Sequence, residues 1–216
     1  MPDWRARACR EESRYRDGTE RLPDDADARQ RQLTRMGNAA YGAALAHVMA
    51  GDGEAPEWFA RAADAYRRSY DDAPPGSWGR PIGAVKARVL AGDWNGAAQA
   101  AEWALVEGAA GAASPIGRYA ACLALIVLGR EVDARPLAED LRRADDFPGA
   151  VADALVYLAS EDPLGFDEAV ARVLESFETR DEYLEDVPVA DTVLVLQALA
   201  ARRGMAVVDL ASPLLP

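Results

Sequence analysis

Three times along this chain an apolar helical run stops at a glycine and an alanine-rich run follows at once. The junctions read Val-Met-Ala-Gly-Asp at 48–52, Val-Leu-Ala-Gly-Asp at 89–93 and Val-Leu-Gly-Arg at 127–130. A glycine directly after an apolar run is a helix stop. Lacking Cβ, it enters the left-handed region without steric cost, and its N–H closes on the last turn. A stop followed immediately by another helix predicts an antiparallel hairpin, and repetition predicts stacked hairpins. No stretch alternates as a strand would. The expected fold is all-α, with antiparallel helical hairpins stacked as a short array.

Periodicity and breakers supply the elements. A helix is expected from Asp25 or Asp27 to Ala50, with Leu33, Met36, Ala40, Ala44 and Val48 on one face. A second runs over 56–70 and carries Trp58, Phe59, Ala62, Ala63, Tyr66 and Tyr70 before Asp-Asp-Ala-Pro-Pro-Gly stops it. Ile82, Val85, Val89 and Leu90 mark a third, with its return partner over 94–106. Ser114 caps and Pro115 opens the next helix, which is apolar nearly all round and therefore central. Further helices are expected over 132–141, 149–159, 166–177 and 190–203. This divides the chain into a charged, partly helical N-terminal segment (1–33), a helical-array domain (34–204), and an apolar tail (205–216) expected to dock on the body.

Charge narrows the partners. With 36 acidic against 24 basic residues and a net charge of −12, nucleic acid and anionic membrane are disfavoured and a basic protein is favoured. Lys86 is the sole lysine; the remaining positive charge is arginine. Two cysteines, Cys9 and Cys122, make no disulfide framework or metal set. The opening Met1-Pro2-Asp3-Trp4 is too charged for a signal peptide, and the longest apolar run, 119–128, falls short of the ~20 residues that span a bilayer. A cytoplasmic location is the expectation.

No familiar catalytic device is present. His47, the one histidine, sits inside an apolar run and reads as structural. There is no His-Glu-x-x-His, Gly-x-Ser-x-Gly, phosphate-loop or calcium-loop pattern. The expected function is accordingly non-catalytic protein binding, without cofactor or metal. The remaining enzymatic alternative is a site built from two carboxylates distant in sequence. Two regions carry the candidate binding residues. In the acidic segment 178–186, Asp181, Glu182 and Glu185 surround Tyr183, which would anchor a basic partner. Helix starts in a stacked array line one surface, which places Trp78 and Arg80 with Arg118 and Tyr119 in a shared groove.

Gly51, Gly92 and Gly129 are spaced by 41 and then 37 residues, and Ala97 and Ala134 follow the last two by five positions. A small residue after the turn, letting two helices approach, resembles the tetratricopeptide repeat, although the aromatic and proline positions of that motif are not reproduced. The resemblance implies a short tetratricopeptide-like array, and its functional alternative is a general adaptor that binds a peptide in a concave groove. At the C-terminus, Val-Leu-Gln-Ala-Leu-Ala-Ala-Arg-Arg-Gly-Met at 195–205 leads into Ser-Pro-Leu-Leu-Pro at 212–216. This run resembles the ending of the Immunity protein 49 family of bacterial polymorphic-toxin systems. That resemblance implies an immunity protein that binds and neutralises a cognate toxin. Docking of the apolar tail on a second copy leaves a homo-oligomer open.

Overall fold

A computed structural model describes residues 3–216. Ten α-helices make up the described chain, and no strand occurs in it. They are α1 (Trp4–Glu20), α2 (Ala26–Ala50), α3 (Ala55–Tyr70), α4 (Gly79–Leu90), α5 (Trp94–Val106), α6 (Pro115–Val127), α7 (Glu131–Arg142), α8 (Gly149–Ala159), α9 (Pro163–Glu178) and α10 (Asp191–Arg202). From α1 to α9 each helix packs chiefly on its neighbours in sequence, which makes the body an array of antiparallel hairpins.

Local chemistry sets the boundaries. Gly51, Gly92 and Gly129 all take φ between 66° and 71°, the left-handed stop anticipated at the three junctions. Asp25, Asp93, Ser114 and Asp162 each accept a backbone N–H three residues on, capping α2, α5, α6 and α9. Ala97 and Ala134, just past two of the stops, are completely buried, so the second helix of each hairpin approaches without a side chain in the way. The charged N-terminal segment carries a full helix, α1. Trp4 and Ala8 are buried on α2, and the buried Glu11 carboxylate is held by Arg10 and Arg14.

After α9 the chain departs from the array order. Residues 183–190 cross back to the first hairpin, where Val187 and Val189 are buried among Tyr41, Ala44 and Phe59. The crossing is pinned by α1: Arg14 pairs with Glu185, and Arg7 donates to the Asp186 carbonyl. Helix α10 then returns to pack on α4, α8 and α9. Its far end is tied to the far end of α6, because Arg203 donates to the Ile126 carbonyl and pairs with Glu131 at 2.7 Å. The tail runs back over α10 and α9. Ala190 donates to the Leu214 carbonyl at 3.0 Å, Ser212 donates to Glu178 at 2.7 Å, and Val207, Leu210, Leu214 and Leu215 pack partly buried. No helix among the described residues is long and apolar enough to cross a membrane.

Tyr66 on α3 sits as a wedge between α2 and α4. A Cβ added to Gly37 would meet one edge of its ring at 2.7 Å, and a Cβ added to Gly83 would meet the other edge at 2.7 Å. The ring is therefore held from both sides and cannot yield to either. Helix propensity alone makes Gly83→Ala stabilising by about 1 kcal/mol, whereas overpacking of a fixed ring costs about 1–3 kcal/mol. We expect Gly83→Ala to lower the melting temperature; a rise would show that the wedge is not fixed.

Candidate functional site

The starts of α4, α6 and α8 border one region together with the first residues of α10, which packs on α4, α8 and α9. Its first residue, Asp191, pairs with Lys86 rather than with the beginning of α4. The seven-residue offset from Gly79 to Lys86 corresponds to ~10 Å of helix at 1.5 Å per residue. Space is thus left above the N-terminus of α10, enclosed by the neighbouring helix starts. It forms a groove of two adjoining cavities that share Lys86 and Ile116. One, of about 380 Å³, lies toward α2 and α4, and the other, of about 450 Å³, toward α6, α8 and the end of α9.

The floor is polar and the walls are apolar. Lys86, with its side chain 13% exposed, pairs with Asp191 and donates to Thr192 Oγ1 at 3.2 Å; Asp191 also accepts from the Tyr41 hydroxyl at 3.0 Å. A mostly buried pair is sustained where such further hydrogen bonds satisfy the remaining lone pairs. Trp78, Ile82 and Tyr66 wall the first cavity, and Tyr119, Phe147, Val151 and Phe177 wall the second. Ile116 and Leu184 are 45% and 44% exposed, so two of the chain's exposed large apolar side chains border this one groove.

The residues expected from sequence separate into two groups. Trp78 and Arg80 line the first cavity and Tyr119 the second, so the helix-start expectation brings these three together. Arg118 is half-buried on the same turn of α6 but does not line either cavity. In the acidic segment, Asp181 and Glu182 are exposed. Tyr183 instead donates its hydroxyl to the Phe177 carbonyl at 2.6 Å and packs on the core, while Glu185 is committed to Arg14. These two act within the chain, holding the crossing in place. Lys86, Asp191, Ile116 and Leu184 were not anticipated. Their one advance signal is that Lys86 is the single lysine among many arginines. His47 is buried against α1, with Nε2 2.9 Å from Glu12, and lies outside the groove.

This arrangement defines a class: an array of helical hairpins whose last helix packs back on α4, α8 and α9 and leaves a groove at the helix starts. No family model, no curated protein and no solved structure matches the chain.

Three tyrosines feel the groove floor. Burial first, and then the charge of Asp191, pushes the hydroxyls of Tyr41, Tyr66 and Tyr119 well above their ordinary range. In the unfolded chain they ionise near pH 10. The folded state therefore holds these protons more tightly, and the stability this contributes is complete below about pH 10 and lost as pH rises past it. In an alkaline titration followed at 295 nm, we expect Tyr41, Tyr66 and Tyr119 to ionise only as the helical circular-dichroism signal collapses. Smooth ionisation of all seven tyrosines with the helices intact would contradict the burial described.

Proposed function

We propose that the protein binds another protein, non-catalytically, through the groove at the starts of α4, α6 and α8. The observation that carries this is the placement of Ile116 and Leu184. Both are exposed apolar side chains on the rim of a two-part cavity whose walls are themselves apolar. Solvent-exposed apolar surface clustered around a concavity is what a partner's side chain buries. The net charge of −12 supports long-range attraction to a basic protein, and the free carboxylates of Asp181 and Glu182 add to that field.

The C-terminal run at 195–205 and 212–216 supports one particular form of this reading, an immunity protein that masks a bacterial toxin in the cytoplasm. In that form the captured protein is harmful when expressed alone and harmless when co-expressed with this one.

Capture from native lysate tests the groove. Ile116→Asp and Leu184→Asp together place charge on the rim at exposed positions, where substitutions change stability by less than about 0.5 kcal/mol. We expect the double variant to keep its melting temperature and to lose at least about nine-tenths of the captured partner, a tenfold weakening being worth 1.4 kcal/mol. Equal capture by the double variant, with loss instead on charge reversal of Asp181 and Glu182, would move the interface to the acidic loop.

A further inference from the structure

The groove's hydrogen-bonding groups are unevenly used. In the first cavity the carboxylate and amide acceptors are taken: the Asp191 carboxylate is engaged by Lys86 and Tyr41, and Asn38 Oδ1 accepts from Tyr66 at 2.9 Å, whereas Asp146 in the second cavity has no protein partner among the described residues. A few of the groove's donors are free. Among the described residues, the indole Nε1 of Trp78, the Asn38 amide nitrogen and the Tyr119 hydroxyl have no protein partner. Trp78 and Tyr119 are each only 8% exposed.

The charges are distributed the same way. Arg80 is half-buried and reaches only neutral acceptors, Ser69 Oγ at 3.0 Å and Gln30 Oε1; its Nη1 donates to nothing among the described residues. Burial lowers its pKa and no carboxylate offsets that. Arg180 stacks on the Phe177 ring at 3.5 Å and bonds only to Ser176. The charged residues of the groove are Arg80, Lys86 and Arg180 against Asp191 and Asp146, the reverse of the acid excess of the whole chain. A partly desolvated guanidinium without an anion beside it is an incomplete pair.

We propose that the groove receives an acidic segment of the partner protein, a carboxylate residue next to an apolar one. The carboxylate is taken up by Arg80 with the Trp78 and Asn38 donors, and the apolar side chain rests on Ile116 and Leu184. This rests on the protein-binding reading above and deepens it. Net charge steers a basic protein from a distance, while the local donors select the segment that enters.

The test uses the full-length protein and three fluorescein-labelled peptides, Gly-Asp-Leu-Asp-Leu-Gly, its Asn-for-Asp isostere and its Lys-for-Asp counterpart, read by fluorescence polarisation. We expect the acidic peptide to bind at least about tenfold tighter than the amide, the scale of one charge-assisted hydrogen bond. Arg80→Gln should erase that preference, with an unchanged helical circular-dichroism signal and melting temperature showing that the variant is folded. Trp78→Phe, which removes the N–H and keeps an aromatic ring, should weaken the acidic peptide more than the amide. Equal affinity for the three peptides, binding of none, or full competition by acetyl-aspartate at matching concentration would overturn the proposal. Because the rim variant is judged by capture of the whole partner, loss of the acid preference and failure of the groove reading are distinguishable results.

Discussion

The return of the chain through residues 183–191 sets where the last helix lies and, with it, the groove. The segment carries the chain back to the first hairpin, and α10 then packs on α4, α8 and α9. Val187 and Val189 enter the core of the first two hairpins, and four residues further on Val193 enters the core of the remaining ones. One short segment thus belongs to both halves. Between those anchors lies Asp191, whose pair with Lys86 fixes how far α10 reaches along α4. Because α10 starts at that depth and no higher, the space above it stays open between the helix starts. The groove is a consequence of where one ion pair stops one helix.

Strain marks the same crossing. Glu185 and Asp186 both adopt left-handed backbone conformations, at φ 53° and 56°, which non-glycine residues take up only when surroundings impose them. The imposing contacts are visible: Arg14 holds the Glu185 carboxylate, Arg7 holds the Asp186 carbonyl, and Val187 is drawn into the core immediately afterwards. Helix α1, dense in charge and poor in apolar residues, therefore has a definite task in clamping the crossing segment.

The extent to which this was legible in sequence follows from which forces are local. Helix ends are written by caps and stops within a few residues, and the runs over 26–50, 55–70, 94–106 and 149–159 lie within a residue or two of where periodicity, glycine and proline put them. The sharing of one groove by Trp78, Arg80 and Tyr119 was legible too, since alternate helices of an array point the same way. The return of α10 was not, because its pairing joins Asp191 to Lys86 across 105 residues and no periodic pattern encodes that distance. For the same reason the acidic segment read as a free platform. Its composition is that of a solvated loop, yet Tyr183 and Glu185 are spent within the chain on partners supplied by α9 and α1.

We propose that a partner protein covers the groove above α10 and not the acidic loop. Hydrogen–deuterium exchange of the protein with and without its captured partner tests this directly. Binding in the groove predicts added protection in peptides covering the starts of α4 and α6 and the crossing segment around Leu184, with α5 and α7 unchanged. Protection confined to α5 and α7, or to Asp181 and Glu182 without the helix starts, would contradict it.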